Sequence, residues 1–394
     1  MSRSEASSDA RLRVLVAHSF YRLPGGEDRY VEQQVSLLRQ RFDVETLWKH
    51  NRDLAPGAQT AARMVLRGPR ADADRVIASF RPDVVHLHNA YPSLGPAVHM
   101  AARRAGVPLV MTVHNFRLRC PNGYMFTEGA PCHRCERGVY AHSVLHDCFP
   151  SRSQAASYAT ALWVHRFVLR LESKVALFIT PSEFVRNRMV EWGIARDRIE
   201  VVRNFTEVVP DGAQPGERGM FLGRLSAEKG IDVLLRALAG AGDPPFAIVG
   251  DGPLREPLAA LAAELALRNT QFLGRVPAED VPSLLRSSRY LALPSMWDEN
   301  APLAALEALA AGRPLLVTNN GGLPELVAGG EGLLCPAGDV EAMAASIRRL
   351  HDDDDLCCEV GSKAAARAAA EFTPAHHLEK LALAYAKAIA TRRV

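Results

Sequence analysis

The chain of 394 residues is longer than one ordinary hydrophobic core can organise, so we expect two domains. Its hydrophobic content of 48% and charged content of 23% are ordinary for a globular protein, and no apolar run approaches the length of a membrane span. The polar N-terminus lacks the apolar segment of a signal peptide, so we expect a cytoplasmic protein whose seven cysteines stay reduced.

The net charge of +3 conceals an asymmetry between the two halves of the sequence. The excess of basic over acidic residues is +10 up to Phe205 and −7 from Thr206 onward. The first half therefore favours anionic partners more than the second half does. Arginines scattered over the surface explain the same count equally well.

Short apolar runs rich in β-branched residues alternate with helical stretches along nearly the whole chain. In the first half these runs are LRVLVAH, RFDVETLW, PDVVHLH, VPLVMTVH, VALFITPS and RIEVVRN, and in the second half they are RGMFLGR, PFAIVGD, TQFLGR, RYLALPS, RPLLVTN and EGLLCP. Continuous hydrophobic strands that alternate with helices are typical of parallel sheets covered on both faces. The sequence therefore predicts an α/β protein with two doubly wound domains, joined by a linker within residues 206–219.

The residues that follow each run are the first place to look for a site, because ligands bind at the carboxyl ends of the strands in such sheets. After the first run, Gly25 and Gly26 precede a helix. Such a loop brings backbone N–H groups and a helix N-terminus up to a phosphate, although a tight turn explains two glycines as well. The loop has no G-x-G-x-x-G, which argues against a nicotinamide or flavin dehydrogenase.

Two further runs of the first half both finish with a His-Asn pair. His88 and Asn89 end one run, and His114 and Asn115 end the next. The carboxyl ends of parallel strands meet at one edge of the sheet, so we expect both pairs near the same crevice. Each histidine serves either a site or a structural hydrogen bond, and the residue pattern leaves both open.

An insertion follows the second His-Asn pair, at residues 115–150, and it contains four of the seven cysteines: Cys120, Cys132, Cys135 and Cys148. The insertion shows no clear periodicity, and a loop of this length indicates a function or an added constraint. Cys-x2-Cys flanked by two further cysteines suits a tetrahedral structural zinc site with four thiolate ligands. The alternatives are His133, His142 or His146 in place of one cysteine, an iron–sulfur cluster, and four thiols without metal.

Two cations of the second half flank a predicted helix N-terminus. Arg224 follows the run RGMFLG, and Lys229 lies just before the next helix. Two fixed positive charges beside backbone amides suit a diphosphate. The alternative is a surface ion pair between Arg224 and Glu228.

The stretch WDENAPLAALEALAAGRP contains two carboxylates, Glu299 and Glu307, eight positions apart. Pro302 is able to open a helix here, and Leu303, Leu306, Glu307 and Ala310 follow the spacing of one buried helix face. A carboxylate on such a face is costly to desolvate and needs hydrogen-bond donors. Two vicinal hydroxyl groups of a ligand supply such donors, and a buried arginine is the alternative.

These residues resemble glycosyltransferase family 4, whose members are retaining, nucleotide-sugar-dependent enzymes with the GT-B fold. The resemblance lies in GRLSAEKGIDVLL, IVGDGPL, FLGRV, LPSMWDENAPLAALEALAAGRPLLVTNNGGLPELV and EGLLCPAGD, which occur in the order and spacing of the family. The fold implied is two Rossmann-like domains facing across a cleft. Residues 1–205 would bind the acceptor, residues 206–375 the sugar donor, and a helix within 376–394 would pack back on the first domain.

The resemblance also assigns roles to individual residues. Glu307 would accept hydrogen bonds from the ribose hydroxyls of the nucleotide, while Glu299 and His114 would lie by the transferred sugar. The remaining donor-side residues implied are Gly25, Gly26, Arg224, Lys229, Arg275, Val276, Asn300 and Leu303. We assign His88, Asn89, Arg117 and Arg119 to the acceptor side. Pro302 departs from many relatives, which have glycine there, and removes one backbone N–H that could contact a phosphate.

The function expected is the transfer of a sugar from a nucleoside-diphosphate sugar, UDP-linked in preference to GDP-linked, to a hydroxyl acceptor. No Asp-x-Asp stands at a strand end, so we expect no divalent cation in catalysis. A nucleotide-sugar epimerase of the same architecture and a non-catalytic metal-bearing regulatory module are the alternatives. We expect no nucleic-acid partner and at most peripheral membrane contact, through the helix that contains Trp163 and Phe167.

Overall fold

A computed structural model describes residues 11–23, 25–54, 58–210 and 214–391, and all structural statements below concern these residues. The polar N-terminus (residues 1–10) and residues 211–213 of the predicted linker lie outside them. None of the described helices is long and apolar enough to cross a membrane.

The strands are β1 (Arg13–Phe20), β2 (Asp43–His50), β3 (Val84–Leu87), β4 (Leu109–Thr112), β5 (Phe126–Thr127), β6 (Ala130–Pro131), β7 (Leu177–Thr180), β8 (Ile199–Val201), β9 (Arg218–Leu222), β10 (Phe246–Val249), β11 (Thr270–Gly274), β12 (Ser288–Leu293), β13 (Leu315–Thr318) and β14 (Gly332–Cys335). Twelve of them coincide with the twelve predicted runs, which confirms the reading of the apolar pattern. The short pair β5–β6 lies inside the 115–150 insertion and has no predicted counterpart.

The α-helices are α1 (Gly26–Leu38), α2 (Ala58–Ala62), α3 (Arg70–Phe80), α4 (Ala97–Ala105), α5 (His142–Leu145), α6 (Arg152–Trp163), α7 (Glu183–Glu191), α8 (Ile231–Gly240), α9 (Arg255–Glu264), α10 (Val281–Ser287), α11 (Leu303–Ala310), α12 (Val340–Asp352), α13 (Asp354–Glu371) and α14 (Pro374–Ala390). Short 3₁₀ turns occupy Asn51–Asp53, Leu171–Lys174, Arg196–Arg198, Ala227–Lys229 and Pro324–Leu326, and π-helical turns occupy Arg63–Arg67 and Val164–Val168.

The twelve longer strands form two six-stranded sheets. The first sheet has the order β2-β1-β3-β4-β7-β8, and the second has the order β11-β10-β9-β12-β13-β14. All neighbouring strands in both sheets are parallel. The two doubly wound parallel sheets expected from the sequence are therefore confirmed. Since every strand of a sheet points the same way, the loops that follow the strands lie along one edge.

Strand β1 shows how helices cover both faces of the first sheet. Leu15 and Ala17 lie in a core cluster with residues of α3 and α4, whereas Val14 and Val16 lie in a cluster with residues of α1 and α14. Successive side chains of a strand point to opposite faces, so an uninterrupted apolar run serves both clusters. Burying an aliphatic side chain of this size stabilises the fold by about 1.5–3 kcal/mol.

The last helix, α14, follows the second sheet in sequence but packs on the first. The Thr373 side chain caps it by accepting a hydrogen bond from the His376 N–H, and Pro374 occupies its first turn. The Tyr385 hydroxyl lies 2.7 Å from Nδ1 of His86 on β3. This confirms the expectation that the C-terminal helix crosses back to the first domain.

Trp163 and Phe167 lie on the surface of the first half. Trp163 is 50% exposed and Phe167 is 45% exposed, and their rings are in contact at 5.9 Å between centroids. The helix α6 buries Ala159 and Leu162 on its other face, and it ends at Trp163 and continues as the π-helical turn that contains Phe167.

Two leucines of α14 give a matched test of this packing. Leu381 is fully buried against the first sheet, and Leu383 on the same helix is 67% exposed. We expect Leu381→Ala to lower the free energy of unfolding by about 2–5 kcal/mol because it leaves a cavity. Leu383→Ala, which changes helix propensity equally, should cost less than about 0.5 kcal/mol in urea denaturation. Equal effects would contradict the docking of α14.

Candidate functional site

Glu307 lies on the buried face of α11, as its spacing predicts. The helix begins after Pro302, whose backbone is extended, and Glu307 is only 5% exposed. Its Oε1 lies 2.9 Å from Nη2 of Arg29, which comes from α1 of the first half. Burial raises the pKa of Glu307, and the charge and hydrogen bond of Arg29 oppose this rise. Arg29 is thus the arginine partner that the sequence analysis gave as an alternative for Glu307. This ion pair joins the two halves of the molecule.

Glu299 lies in the loop before α11 and is also buried, at 4% exposure. Its Oε1 lies 2.6 Å from Nζ of Lys229 and accepts a hydrogen bond of 2.7 Å from the Ser295 hydroxyl. The Lys229 ammonium lies 5.2 Å from the centre of the Trp297 ring, which adds a cation–π contact. Because Lys229 comes directly before the glycine that precedes α8, its charge is fixed between a carboxylate and a helix N-terminus.

Arg224 lies beyond the end of β9 with its side chain 49% exposed. Its Nη2 donates to Oε1 of Glu228 at 2.6 Å, so the ion pair considered in the sequence does form. Burial alone would raise the pKa of Glu228, but Arg224 and the Ser226 hydroxyl outweigh it and hold that pKa below its usual value. The same Nη2 donates to the Tyr124 hydroxyl at 3.1 Å. About half of the surface of the Arg224 side chain therefore remains accessible beside these partners.

The glycine-rich loop lies opposite α11. Gly25 is the N-cap of α1, and its N–H donates to Oδ2 of Asp28 at 3.3 Å. A Cβ atom on Gly26 would lie 3.9 Å from Cδ1 of Leu303. The first turns of α1 and α11 therefore meet across the cleft, and each places backbone N–H groups there.

His114 is held from both sides. Its Nε2 lies 2.8 Å from Nδ1 of His88, and its backbone oxygen accepts a hydrogen bond of 2.5 Å from Asn300 of the second half. Burial lowers the pKa of His114 to about 3 and that of His88 well below its usual value. Both imidazoles are therefore neutral near pH 7, with one ring donating to the other.

The comparisons with known proteins agree with this architecture. Residues 6–204 match the glycosyl transferase 4-like domain model, and residues 216–367 match the model of glycosyl transferases group 1. The chain belongs to glycosyltransferase family 4 and has the GT-B fold.

Two curated relatives show how far this likeness extends. The glycosyltransferase is 33% identical over 328 residues to the 2-deoxystreptamine glucosyltransferase of Streptomyces kanamyceticus, covering 76% of each chain. It is 30% identical over 307 residues to the glycogen synthase of Mycobacterium tuberculosis, covering 74% of this chain. That match spans 64% of the length of the glycogen synthase.

Solved structures show the same fold at lower identity. Sucrose-phosphate synthase from Thermosynechococcus elongatus has a TM-score of 0.70 at 17% identity, with 97% of this chain and 100% of that chain covered. Anabaena HepE, solved in complex with UDP-glucose, has a TM-score of 0.65 at 19% identity, with 94% and 98% covered. At these identities the likeness concerns the fold alone.

The residues assigned to the acceptor side of the glycosyltransferase have unequal positions. His88 contacts His114, and Asn89 is used within the fold, where its Nδ2 donates to the Ser19 backbone oxygen at 2.9 Å. Arg117 lies over the rings of Tyr91 and Tyr158, at 5.6 and 5.5 Å from their centres.

Arg119 is 2% exposed and binds other parts of the first half. Its Nη1 and Nη2 bind the Glu172 carboxylate, at 2.5 and 3.1 Å, and Nη2 also donates to the Trp192 backbone oxygen. The structure does not bring it beside His114 or the two glutamates. Because a buried guanidinium group needs these partners, Arg119 serves the packing of the first domain.

Arg275 and Val276 follow β11 on the second sheet. Arg275 is exposed, whereas Val276 packs partly against the core cluster that contains β12 and α11. Gly274 between strand and loop has a positive φ of 70°. The Arg275–Val276 pair therefore follows β11 at the carboxyl edge of the second sheet.

Three contributors to the cleft were not singled out from the sequence: Arg29, Tyr124 and Glu27. Arg29 lies one turn into α1, so its spacing from the Gly-Gly pair was the available signal. Glu27 Oε2 accepts a hydrogen bond of 2.9 Å from the Tyr21 hydroxyl, and its Oε1 is buried without a partner among the described residues. Burial raises the pKa of Glu27. The Asn115 side-chain amide also donates a hydrogen bond to its carboxyl group.

A wide hollow of about 1090 Å³ lies elsewhere in the first half, lined by charged residues of both signs that include Lys49, Asp53, Arg63, Asp72 and Arg104. None of the predicted site residues lines it. The predicted site residues therefore lie apart from this hollow.

Buried histidines make the stability of the glycosyltransferase depend on pH. Burial lowers the pKa of His99 to about 3, so the unfolded chain takes up a proton at His99 below about pH 6.5, whereas the folded chain does so only near pH 3. Stability is therefore lost as the pH falls through this window. His99→Phe should remove about 2 kcal/mol of the loss between pH 7.5 and pH 5 in urea denaturation.

Met100→Leu on the same helix is the matched control, because it removes no titratable group and should leave the pH dependence unchanged. An identical pH dependence in the wild type and in His99→Phe would contradict the linkage.

Proposed function

We propose that this glycosyltransferase moves a sugar from a nucleoside-diphosphate sugar to a hydroxyl acceptor with retention of configuration. One observation carries the proposal: two buried carboxylates, Glu299 and Glu307, lie at the cleft with cations beside them. The rest of the cleft contains groups suited to the other parts of such a donor. The acceptor class is a hydroxyl of a glycan, a glycolipid or a secondary-metabolite precursor.

The Glu307 carboxylate is the proposed contact for the ribose. An ionised carboxylate accepts about four hydrogen bonds, so it can retain Arg29 and still accept from two vicinal hydroxyls. Arg275 and Val276 would line the base. The Anabaena HepE complex with UDP-glucose supports a UDP-linked donor in a fold of this kind, and a GDP-linked donor is the alternative.

The diphosphate is proposed to lie between Arg224, Lys229 and the helix N-termini that face the cleft. The Leu303 N–H is at the first position of α11, where helix geometry leaves it without an intrahelical partner. It can therefore replace the contact that Pro302 cannot make. Gly25 and Gly26 bring α1 close to the same place without a side chain in the way.

The reaction breaks the bond between the anomeric carbon and the diphosphate oxygen and forms a bond from that carbon to the acceptor oxygen on the same face. Negative charge develops on the departing diphosphate, and Arg224 and Lys229 are placed to stabilise it. The acceptor proton passes to the leaving phosphate oxygen. The neutral His114 and the Lys229-bound Glu299 would orient the sugar. This scheme requires no divalent cation.

A donor screen tests the proposal most directly. Candidate nucleotide sugars should raise the melting temperature of the full chain, because a ligand that binds the folded state stabilises it. Incubation with the best donor should then give a product only when an acceptor extract is present, and the product should retain the anomeric configuration. A changed sugar without acceptor would indicate an epimerase instead, and an inverted product would exclude the proposed reaction.

Glu307→Gln tests the ribose contact. The amide keeps the shape of the side chain but removes its charge, so donor binding should weaken by about 1–3 kcal/mol in calorimetric titration. The control is Glu331→Gln, because Glu331 is equally buried and pairs with Arg367 at 3.2 Å but precedes β14 at the opposite edge of the sheet. If Glu307→Gln and Arg29→Gln lose equal stability while donor affinity stays unchanged, Glu307 serves only the ion pair.

Arg224→Ala and Lys229→Ala test the stabilisation of the departing diphosphate. Each should lower kcat/KM by about 100-fold or more, since each removes a charge that acts in the transition state. Arg218→Ala is the matched control, because Arg218 opens the same strand, β9, at the end away from the cleft. Transfer should also persist in EDTA. A strict requirement for added magnesium or manganese would count against this mechanism.

A further inference from the structure

The four cysteines of the 115–150 insertion surround one small hollow. Cys120, Cys132, Cys135 and Cys148 all line a cavity of about 10 Å³, together with His142 and His146. All four are free thiols; Cys135 is buried and the others are partly buried. Residues that lie up to 28 positions apart in sequence thus converge on a space of about one water-sized sphere.

Tight backbone turns bring the thiols together. The Gly123 N–H donates to the Cys120 backbone oxygen at 3.0 Å, and Gly123 has the positive φ of 82° that this turn requires. A second turn follows the Cys-x2-Cys pair, where the Gly138 N–H donates to the Cys135 oxygen at 2.9 Å. The Cys148 N–H donates to the Ser143 backbone oxygen, which holds the fourth cysteine next to α5.

The first part of the insertion packs on the core of the first sheet through Phe116 and Met125, whereas the part around the Cys-x2-Cys pair has less to hold it. The regular structure of the insertion consists of the two-residue strands β5 and β6 and the single turn α5. Its own core cluster consists of Cys135 and Tyr140 packed on Ala159 and Leu162 of α6. A segment with so small a core usually depends on a metal or on disulfides for its order. Disulfides are absent among the described cysteines.

We propose that Cys120, Cys132, Cys135 and Cys148 bind one structural zinc ion. Zinc in such sites is tetrahedral with four thiolates, and the ion would take the place of the thiol protons. The described chain contains no group of three or more His, Cys, Asp or Glu side chains already arranged to hold a metal. The site therefore closes by rotation of the cysteine side chains, each of which has one torsion, toward the shared hollow. Four protein ligands leave no open position, so the zinc takes no part in the chemistry.

The zinc would also affect the cleft, because the first turn of the insertion extends there. The Gly123 N–H donates to the Cys120 backbone oxygen at 3.0 Å, and the neighbouring Tyr124 N–H donates to Oδ1 of Asn122 at 2.9 Å. The Tyr124 hydroxyl accepts from Arg224, whose guanidinium lies 5.4 Å from the centre of the Tyr124 ring. The Tyr124 ring also contacts the Trp297 ring, at 5.4 Å between their centroids. A Cys120 held by zinc would also hold this turn and the Tyr124 ring against which Arg224 lies. Tyr124 is then a positioning residue for Arg224. This consequence rests on the proposed function, whereas the zinc site does not.

Metal content tests the site independently of activity. The full chain, purified without a His-tag, should contain about one zinc in elemental analysis, and a mercurial thiol reagent should release it. The double variant Cys132→Ser with Cys135→Ser should lose the zinc. The control Cys358→Ser should keep it, because Cys358 is a partly buried thiol on α13 in the second half. If the double variant does not fold, the wild-type zinc content and its release by the mercurial decide the question.

Several results would overturn the proposal. The proposal is wrong if the wild type contains no metal and its four thiols react freely. It is also wrong if the four cysteines form a pair of disulfides, or if the protein contains iron and absorbs visible light. Loss of zinc in His142→Ala or His146→Ala would overturn the assignment of four cysteine ligands. For the consequence in the cleft, loss of zinc and Tyr124→Leu should each lower kcat/KM by about tenfold. If zinc is present but its loss and Tyr124→Leu leave transfer normal, the zinc site stands and its proposed effect on Arg224 is wrong. If no donor binds at all, the proposed function is wrong, and the metal content still tests the zinc site.

Discussion

The need to neutralise a carboxylate on a buried helix face governs how the two halves of this protein meet. Glu307 occupies an apolar face of α11, where an unpaired charge would be costly. Arg29 provides the partner from α1, and the Gly25–Gly26 loop allows α1 to approach α11 closely enough to do so. Because α1 follows β1 and α11 follows β12, this contact brings the carboxyl edges of the two sheets to face one another. The cleft and its charges follow from that arrangement.

The electrostatics of the cleft separate into charged and neutral groups. Lys229 with Glu299 and Arg224 with Glu228 are ion pairs that remain partly open to the cleft. His88 and His114 are neutral because burial lowers their pKa values. The cations lie where a diphosphate would depart, and the neutral hydrogen-bonding groups lie where a sugar would bind. This arrangement suits a reaction in which negative charge develops on the diphosphate only.

The cross-domain contacts explain why a helix at the end of the chain returns to the first sheet. Tyr385 bonds to His86, and His377 lies 3.1 Å from the Tyr30 hydroxyl on α1, the helix that also contains Arg29. Because α14 packs against α1 and the first sheet, it fixes the element that pairs with Glu307. The position of α14 therefore bears on the site although none of its residues lies in it.

The sequence alone determined the twelve strands of the two sheets and the family, because strand-length apolar runs and the spacing of motifs are local properties of the chain. It also indicated candidate site residues, including His114, Arg224, Lys229, Glu299 and Glu307. Only the tertiary structure decided their partners, since Arg29 for Glu307 and Tyr124 for Arg224 come from separate elements whose approach depends on packing. The same packing pairs Arg119 with Glu172 and places four cysteines around one hollow. Long-range pairing of side chains has no periodicity in sequence, so its outcome is visible only once the sheets and the insertion are in place.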